Sequence, residues 1–491
     1  MTVALPDLPP GLLFIDGAFV SAEGGETFEV LTPSDGHHLI DVAAASASDV
    51  ERAVQSARTA FDAGAWSRIA PAERKEVLLE FARRIEESAE ELAALDAADA
   101  GRPITEARDF DIPDALHTIR WYAEATDKVF GKISPSGKDK LGLIVREPVG
   151  VVGAVLPWNF PAPVLAWKLG PALAAGNSVV VKPPELAPLS TLRLAQLAFE
   201  AGIPSGVFNV VPGLGHVAGR ALGLNDNVDA VTFTGSTEVG REFLRYSADS
   251  NLKRVVLELG GKSPQVVMAD VRGILSEVAA DLANAIFFAA GQNCTAGSRI
   301  IVSNEIRSQF TDLLAEQAQS HMVGDSLAGT TTLGPLIEPS AVDRVERYVE
   351  GAQTAGARVV TGGRRTLAET GGNFFEPTVV TEVSPGSALA QEEIFGPVVA
   401  VLGFDTEAEA IRLANDTTYG LAATVWSKDL DTALRSAKAI RAGTVAVNGY
   451  SEGDITTPFG GYRQSGFGGR DNGLEAFEQY TELKTIWISL D

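Results

Sequence analysis

The amino-acid sequence predicts an α/β fold with two doubly wound domains, each a mostly parallel sheet covered by helices, and a small β extension. Short β-branched runs alternate with amphipathic helical stretches from about Glu147 onward, which is typical of such sheets. The chain of 491 residues is too long for one hydrophobic core and predicts two or three domains. Its hydrophobic content of 45% is that of an ordinary folded protein.

The first alternating series lies between residue 149 and about residue 250. Parallel sheets of this kind bind ligands at the carboxyl ends of their strands, so functional residues are expected in the loops that follow strands. The predicted elements are the strand Val149 to Leu156, the helix Ala162 to Ala175, the strand Ser178 to Val181, the helix Leu189 to Ala201, the strands Val207 to Val211 and Ala230 to Phe233, and a helix from Ser236.

A second series predicts the second domain. A helical region from Ala47 to Phe130 comes before both series. Its segments Ser48 to Ala63 and Ala72 to Ala100 carry charges at helical spacing, and we expect the region to pack on the first sheet. The second series comprises the helix Ile274 to Ala290, the strands Arg299 to Val302 and Val398 to Phe404, the helix Thr406 to Ala414 and the strand Thr444 to Val447.

Two strand-like segments lie outside both series, at Lys132 to Arg146 and Thr481 to Leu490. Both alternate polar and apolar residues, and an unpaired strand edge can pair with a neighbouring subunit. We therefore expect a homo-oligomer.

The chain is strongly acidic, with 40 Lys and Arg against 64 Asp and Glu and a formal net charge of -24. This charge repels nucleic-acid phosphates and anionic lipids, so neither nucleic acid nor a membrane is an expected partner. The early apolar stretch from Gly11 to Val20 is short and contains Asp16, so it is no signal peptide, and we expect a cytoplasmic protein. One cysteine excludes an internal disulfide, and five scattered histidines lack the spacing of metal ligands.

The single cysteine, Cys294, lies in GQNCTAG, a small-residue loop that follows a long apolar helix. A free cysteine is more often a buried hydrophobic residue than a nucleophile. A thiol with a pKa of about 8.5 also needs a neighbouring base or positive field before it attacks a substrate. No histidine motif supplies that base, so the surrounding motifs must decide between the two interpretations.

Two polar side chains next to strands are candidates for the supporting chemistry. Glu258, in VVLELGGKSP, lies at a strand end between leucines, and a carboxyl group in apolar surroundings acquires the raised pKa of a general base. Asn159, in PWNFP, can donate a side-chain N–H to a developing oxyanion. The simpler alternatives are a solvated acid for Glu258 and an asparagine turn for Asn159.

Two further loops are candidates for a nucleotide site. FTGSTEVG places Gly235 and Ser236 between a strand and a helix, where free backbone N–H groups can bind pyrophosphate; a plain helix N-cap is the alternative. VVVKPPE ends a strand with Lys182 and Glu185, which can both hydrogen-bond a ribose unless they are ordinary surface charges. An acid at the ribose repels the 2′-phosphate of NADP, so Glu185 predicts NAD as cofactor, with NADP possible but less favoured.

These segments together resemble the aldehyde dehydrogenase superfamily. Seven motifs occur in the family's order along nearly the whole chain: PWNFP, VVVKPPE, FTGSTEVG, LELGGKSP, GQNCTAG, EEIFGPV and PFGGYRQSG. The resemblance implies an aldehyde dehydrogenase-like fold that assembles as a dimer or tetramer. It implies a NAD-binding domain of residues 1–127 and 149–260, a catalytic domain of residues 261–475, and oligomerisation strands at 128–148 and 476–491.

The resemblance also implies a role for each candidate residue. Cys294 attacks the aldehyde, Asn159 and the Cys294 backbone N–H hold the oxyanion, and Glu258 helps deprotonate the thiol and activates the water that hydrolyses the thioester. The product is a carboxylate. The implied cofactor contacts are Lys182 and Glu185 at the adenosine ribose, Gly235 and Ser236 at the pyrophosphate, Glu393 at the nicotinamide ribose, Phe395 beside the nicotinamide and Trp158 at the adenosine.

The C-terminal segments VNGYSEGDITTPFGGYRQSG and TELKTIWISLD are most similar to the γ-glutamyl-γ-aminobutyraldehyde and aminoaldehyde dehydrogenases of polyamine breakdown. Three features depart from the family pattern: Arg463 replaces a lysine, Asp471 replaces a glutamate, and GFGGRDNG contains an extra glycine. The implied tunnel-lining residues are Phe160, Trp167 and Phe288, and the acids that can attract a cationic tail, unless they are simply solvated, are Asp111, Asp114, Glu452 and Asp454.

Several other functions are compatible with part of the pattern. An enzyme with broad specificity for aliphatic and aromatic aldehydes would use the same residues. Acyl transfer to coenzyme A would use Cys294 but would not need Glu258 as a hydrolytic base. A hydrolase would leave Lys182, Glu185 and Glu393 without a nucleotide to bind, and a non-catalytic scaffold would be expected to lack the nucleophile, the base or the amide.

Overall fold

The structure is a computed structural model that describes residues 2–490. Its strands form sheets of eight, seven, three and two strands within these residues. The strands are β1 (Leu13–Ile15), β2 (Ala18–Val20), β3 (Thr27–Leu31), β4 (His38–Ala43), β5 (Lys132–Ser134), β6 (Lys140–Pro148), β7 (Val151–Val155), β8 (Ser178–Lys182), β9 (Phe208–Val210), β10 (Ala230–Thr234), β11 (Arg254–Glu258), β12 (Pro264–Val267), β13 (Arg299–Ser303), β14 (Arg358–Thr361), β15 (Thr378–Thr381), β16 (Val398–Phe404), β17 (Ala422–Trp426), β18 (Thr444–Val447), β19 (Gly466–Phe467) and β20 (Thr481–Ser489).

Helices begin where the sequence supplies capping residues. Ser46 and Asp49 form a capping box at the first helix, and Ser236 caps the ninth. The helices are α1 (Ala47–Ala63), α2 (Pro71–Glu87), α3 (Ala89–Asp99), α4 (Ile104–Glu106), α5 (Ile112–Ala125), α6 (Pro161–Ala175), α7 (Leu189–Glu200), α8 (Arg220–Leu224), α9 (Thr237–Ala248), α10 (Leu275–Phe287), α11 (Arg307–Gln319), α12 (Pro339–Thr354), α13 (Ala388–Gln391), α14 (Glu407–Asn415), α15 (Leu430–Ala439) and α16 (Phe477–Tyr480), with π-helical segments at Ala107–Asp111 and Gly215–Gly219.

The first large sheet has the strand order β19-β11-β10-β7-β8-β9-β1-β2, and its central strands from β11 to β9 are parallel. β7 and β8 are buried along their whole lengths, as expected from the apolar sequence of β7 and the three central valines of β8. The register places Val155 beside both Phe233 and Lys182, so the carboxyl ends of three strands meet at one edge. The segment that contains Asn159 follows β7 at this edge.

The second large sheet has the order β14-β15-β16-β13-β12-β17-β18 and is parallel except for β14. The prediction of two mostly parallel α/β units is therefore confirmed. Within the described chain, the segment Ala269–Gly291 alone has the length and apolar character of a membrane span. Its residues Leu282, Ile286 and Phe287 are fully buried in the core beside this sheet, as in the core helix of a folded domain.

The division at residues 260 and 475 stays a prediction, and one strand crosses it. β19 pairs antiparallel with β11, with Gly466 opposite Glu258. Residues 466 and 467 therefore belong to the first sheet, although they lie within the range predicted for the catalytic domain. This pairing brings a C-terminal segment beside Glu258 at the edge where the strands end.

The three-stranded sheet has the order β20-β6-β5, with β20 and β6 antiparallel from Thr481 opposite Pro148 to Ser489 opposite Lys140. The predicted strand from Lys132 to Arg146 is two strands joined by a turn. Large apolar side chains are exposed on β20 and at its end: Leu483, Ile486, Trp487, Ile488 and Leu490.

Two predicted helices have different ends in the structure. The segment from Ala72 to Ala100 is two helices, because the backbone leaves helical geometry at Ser88. The helix predicted to end at Ala290 ends at Phe287, since Ala289 and Ala290 have left-handed φ values of 56° and 54°. A left-handed backbone is strained in residues other than glycine, and here it turns the chain toward Cys294.

Candidate active site

One large cavity of about 900 Å³ lies at the carboxyl edge of the first sheet. It is lined by loops from both large sheets and has the size expected of a small-molecule site. Among residues 2–490, no group of three or more His, Cys, Asp or Glu side chains is arranged to hold a metal ion. The predicted site residues that line the cavity are Asp111, Asp114, Trp158, Asn159, Phe160, Trp167, Gly235, Ser236, Glu258, Phe288, Cys294, Glu393, Phe395, Glu452 and Asp454.

Cys294 lies in the strained loop after α10 and lines the cavity. Burial raises the pKa of its thiol well above the usual value, and the carboxylates of Glu452, Glu393 and Glu258 raise it further. The resting side chain is therefore a neutral thiol. A base must remove its proton before it can act as a nucleophile.

Asn159 is 6% exposed and contacts the same loop. Its Nδ2 donates one hydrogen bond, of 2.8 Å, to the carbonyl oxygen of Gln292. An amide nitrogen has two hydrogens, so the second remains available for an oxyanion in the cavity. This hydrogen bond fixes the position of Asn159 relative to Cys294, because Gln292 lies two residues before Cys294 in the same loop.

Gln292 was not predicted from the sequence, although it stands beside Cys294 in GQNCTAG. Its Oε1 accepts a hydrogen bond of 3.0 Å from the Ile337 N–H, and its Nε2 donates one of 3.3 Å to the Pro335 carbonyl. The side chain therefore joins the Cys294 loop to the segment before α12. A buried amide with several hydrogen bonds is recognisable only once the fold is known, since no local pattern marks it.

Glu258 ends β11 and is 3% exposed. Neither carboxyl oxygen has a hydrogen-bond partner among the described residues. Burial raises the pKa well above the usual value, and the Asp471 carboxylate adds to the shift, against the attraction of Lys168 and Arg470. Gly460 permits this placement, because a Cβ there would lie 2.5 Å from Glu258 Oε1. The raised pKa expected of a general base is therefore present.

A buried ion pair between Lys168 and Asp471 lies beside this carboxyl group. Each side chain is 1% exposed, and Asp471 lines the cavity. From the sequence, Asp471 is only a departure from the family pattern. The signal that could have found the pair is Lys168, the one charged residue in the apolar helix α6.

Lys182 and Glu185 form an ion pair at the end of β8, outside the lining of the cavity. Lys182 is 3% exposed, so it is not an ordinary surface charge. Burial raises the pKa of Glu185, but the Lys182 ammonium outweighs it and leaves the pKa below its usual value. Glu185 is therefore anionic, and its Oε1 also accepts a long hydrogen bond of 3.4 Å from the Gly215 N–H.

One detail of the predicted phosphate site is wrong. The Gly235 N–H is not free, because it donates a hydrogen bond of 3.0 Å to the Glu258 carbonyl and so extends the pairing of β10 with β11. Ser236 is the N-cap of α9, and its hydroxyl accepts a 3.2 Å bond from the Val239 N–H. Ser236 still places the N-terminus of a twelve-residue helix at the cavity, where backbone donors and the helix dipole favour an anion.

Glu393 and Phe395 line the cavity from the loop between α13 and β16 of the second large sheet. Glu393 Oε1 accepts a 3.0 Å hydrogen bond from the Gly261 N–H, and burial raises the pKa of Glu393 to about 7. Phe395 has a left-handed φ of 55°, and its carbonyl accepts a hydrogen bond from Arg344, a residue that was not predicted from the sequence. The ring of Phe395, predicted to lie beside the nicotinamide, contacts the ring of Trp158, predicted to lie at the adenosine. The two rings meet edge to face with their centroids 5.4 Å apart.

Aromatic rings form much of the remaining wall. Phe160 and Phe288 are nearly parallel with centroids 6.0 Å apart, and Trp167 packs against Phe459 at 5.1 Å. Phe110 contacts Phe288 edge to face and is 62% exposed at the cavity mouth. Phe110 and Phe459 were not predicted, because no local sequence pattern separates a cavity aromatic from a core one.

The four predicted acids differ in their surroundings. Asp111 does not offer a free charge to a substrate, because both its oxygens accept hydrogen bonds from Arg102, at 2.8 and 3.0 Å. Asp114 accepts a 2.7 Å bond from Trp167 Nε1, and burial raises its pKa to about 6. Glu452 accepts hydrogen bonds from Asn293, Thr295 and Tyr450, whereas Asp454 is exposed and closes a turn with Thr456.

Residues 19–486 match the model of the aldehyde dehydrogenase family. An aminoacetaldehyde dehydrogenase of Pseudomonas aeruginosa is 52% identical over 98% of this chain and 96% of its own length. A γ-glutamyl-γ-aminobutyraldehyde dehydrogenase of Burkholderia cenocepacia has a TM-score of 0.96 and 50% identity, covering 99% and 98% of the two chains.

A third relative is an indole-3-acetaldehyde dehydrogenase of P. syringae, whose structure was solved with NAD+. It has a TM-score of 0.96 and 50% identity, covering 98% of this chain and 97% of its own. These matches extend over both large sheets and the cavity between their loops. The chain therefore belongs to the aldehyde dehydrogenase family and is an NAD(P)-dependent oxidoreductase that acts on aldehydes.

Proposed function

We propose that the cavity converts an aldehyde to a carboxylate through a covalent intermediate on Cys294. The observation that carries the proposal is the meeting of a thiol, a free amide N–H of Asn159 and the buried carboxyl of Glu258 in one cavity. An acyl-transfer site needs a nucleophile, a base and an oxyanion donor, and these three groups supply them. The test is a pair of variants: Cys294→Ala should form no NADH, and Glu258→Gln should form the thioester without hydrolysing it.

The first step forms a carbon–sulfur bond. Glu258, as a carboxylate, takes the thiol proton, and the Cys294 sulfur attacks the carbonyl carbon of the aldehyde. The carbonyl oxygen becomes an oxyanion, which Asn159 Nδ2 and the Cys294 backbone N–H stabilise. Because Asn159 is already held by the Gln292 carbonyl, it pays little reorganisation cost when the charge develops.

The second step breaks the former aldehyde C–H bond. Loss of the hydride with its electron pair leaves a thioester on Cys294, and a nicotinamide held in the cavity would supply the two-electron acceptor. After Glu258 has released the thiol proton to solvent, it removes a proton from water, the hydroxide forms a bond to the thioester carbon, and the Cys294 sulfur leaves with the electron pair of the carbon–sulfur bond. Glu258 passes the proton taken from water to the Cys294 thiolate, and the carboxylic acid loses its own proton to solvent, so the products are a carboxylate and a neutral thiol.

The side chains around the cavity fit a dinucleotide. The N-terminus of α9 at Ser236 offers backbone donors to phosphates, and Glu393 and Glu185 offer carboxylate oxygens to ribose hydroxyls. NAD is the proposed cofactor in preference to NADP, since the anionic Glu185 repels a 2′-phosphate. We expect kcat/KM for NAD to exceed that for NADP, and equal values in the same buffer would refute this preference.

We infer an ω-amino or γ-glutamylamino aldehyde as the substrate. Similarity to an aminoacetaldehyde dehydrogenase and a γ-glutamyl-γ-aminobutyraldehyde dehydrogenase supports this class. The cavity also contains Asp114 and Glu452, whose negative charges suit an ammonium group. Asp114 is the better candidate, because three hydrogen-bond donors already surround one oxygen of Glu452.

Replacing Asp114 with Asn is expected to raise the KM for 3-aminopropanal about tenfold and to leave the KM for propanal within about twofold. With a pKa of about 6, Asp114 is neutral below that pH, so the KM for the aminoaldehyde should fall as the pH rises through 6 in the wild type but not in the variant. Asp312→Asn, on the exposed face of α11 and outside the lining of the cavity, is the matched control. An equal change for both aldehydes would show that Asp114 does not recognise the ammonium.

A second candidate substrate class is an aromatic aldehyde. The ring pairs Phe160 with Phe288 and Trp167 with Phe459 give the cavity apolar walls, and an indole-3-acetaldehyde dehydrogenase is 50% identical. Rates with 3-aminopropanal, its γ-glutamyl derivative, propanal and phenylacetaldehyde separate the classes. A higher kcat/KM for phenylacetaldehyde than for either amino compound would favour the aromatic class.

We infer a cytoplasmic homodimer or homotetramer. β20 exposes Leu483 and Trp487 at 64% and 61%, and such an apolar strip on a strand is expected to be covered in an assembly. The strong negative charge supports a role without nucleic acid or membrane partners. Light scattering is expected to give a multiple of the single-chain mass, and a monomer at micromolar concentration would contradict the assembly.

A further inference from the structure

A buried arginine lies beside the aromatic side of the cavity. Arg102 is 2% exposed, and its guanidinium carbon lies 4.6 Å from the ring centroids of both Phe160 and Phe288. A cation at this distance is attracted to an aromatic face, most strongly when both are out of water. The two rings therefore share one cation, and both rings also line the cavity.

Two carboxylates hold this guanidinium in place. Asp111 accepts hydrogen bonds from Nε and Nη2, and Glu106 Oε2 lies 2.9 Å from Nη1. A bidentate pair fixes the plane of the guanidinium as well as its position. Burial alone would lower the pKa of Arg102, but Asp111 and Glu106 outweigh it and raise the pKa, so Arg102 stays charged.

Glu106 also contacts the loop that carries Cys294. Its Oε2 accepts a hydrogen bond of 3.1 Å from the Ala289 N–H. Ala289 and Ala290 have left-handed backbone angles, which persist only where surrounding contacts hold them. The segment between the end of α10 and Cys294 is thus tied to the same ion cluster as the aromatic rings.

We propose that Arg102, Glu106 and Asp111 form a positioning cluster for the dehydrogenase reaction. Arg102 sets the aromatic wall that selects the aldehyde, and Glu106 sets the loop that places the Cys294 thiol. This proposal rests on the proposed function, because it requires the cavity to be the aldehyde-binding site. Arg102 and Glu106 do not line the cavity, so they act through the residues they hold and are positioning residues.

The arginine is tested by comparing aldehydes of different size. Arg102→Met removes the charge, and we expect the KM for phenylacetaldehyde to rise about tenfold while the KM for acetaldehyde changes less than about twofold. Arg102→Lys keeps a cation but loses the bidentate fork, so its KM for phenylacetaldehyde should be intermediate. The control is Arg58→Met, which breaks an ion pair with Asp229 and a contact with the Phe61 ring at the opposite edge of the first sheet.

The glutamate is tested by the reactivity of Cys294. Because the chain has a single cysteine, the rate of alkylation by iodoacetamide reports on that thiol without any turnover. Glu106→Asp keeps the charge but cannot reach the Ala289 N–H, and we expect alkylation and kcat to fall about fivefold or more. Glu106→Gln keeps an acceptor and should stay within about twofold of the wild type. Glu91→Gln, in the surface pair with Arg193, is the matched control.

The possible outcomes separate the two proposals. If the wild type oxidises no aldehyde, the proposed function fails, whereas the alkylation rates still test the cluster. If Arg102→Met does not fold, Arg102→Lys carries the comparison of aldehydes. The cluster is refuted if Arg102→Met leaves the ratio of the KM values for phenylacetaldehyde and acetaldehyde unchanged and Glu106→Asp leaves the alkylation rate unchanged. It is also refuted if the Arg58→Met and Glu91→Gln controls change these quantities equally.

Discussion

Replacing Cys294 with Ala is expected to abolish NADH formation with every aldehyde while NAD still binds with a dissociation constant within about threefold of the wild type. The reason is that the variant lacks the sulfur that forms the covalent bond, whereas the proposed nucleotide contacts at Ser236 and Glu393 are unchanged. Absorbance at 340 nm measures turnover, and quenching of tryptophan fluorescence measures binding.

The single cysteine makes this variant easy to interpret, since no other thiol in the chain can replace Cys294. Gln292→Ala provides a second comparison, because it keeps the thiol but removes side-chain contacts to Pro335 and Ile337. It should retain reduced turnover. Undiminished NADH formation by the alanine variant at position 294 would exclude the covalent route.

Replacing Glu258 with Gln is expected to lower the steady-state rate about a thousandfold and to leave a single burst of NADH per site at alkaline pH. A glutamine cannot take a proton from water, so the thioester forms once the thiol ionises by itself but is not hydrolysed. The acyl group should then be found on Cys294 by intact-mass measurement of the quenched variant.

The pH dependence gives the same variant a second test. The pKa of Glu258 is raised well above its usual value, and only the carboxylate can act as a base. Activity of the wild type should therefore fall as the pH decreases through that raised pKa, and this limb should be absent in Glu258→Gln. If coenzyme A restores rapid turnover to the variant, acyl transfer rather than hydrolysis is the natural second step.

Much of the fold was predictable from local patterns. β7 and β16 have uninterrupted apolar sequences, β8 has three consecutive valines, and α9 begins at a serine that caps it, so these local signals located them. β19 was not predictable, since its two residues pair with β11 through a contact between positions about 200 apart in the sequence. The strained turn at Ala289 is likewise set by tertiary contacts, because alanine has no local preference for it.

The candidate site divides in the same way. Cys294, Asn159 and Glu258 lie in motifs that the sequence displays, and the structure places them in one cavity. The charge state of a residue depends on partners distant in the sequence, which is why the pairing of Asp111 with Arg102 could not be foreseen. The same holds for the Gly235 N–H, whose acceptor lies on the neighbouring strand.

The covalent step at Cys294 is tested most directly by stopping the wild-type enzyme with acid during turnover with NAD and 3-aminopropanal, digesting it and measuring the mass of the peptide that contains Cys294. This peptide is expected to carry the acyl group of the substrate, bound as a thioester, and the group is expected to be absent when NAD is omitted. An unmodified peptide from an enzyme that is forming NADH at its full rate, under conditions where Glu258→Gln also shows no adduct, would contradict the covalent step.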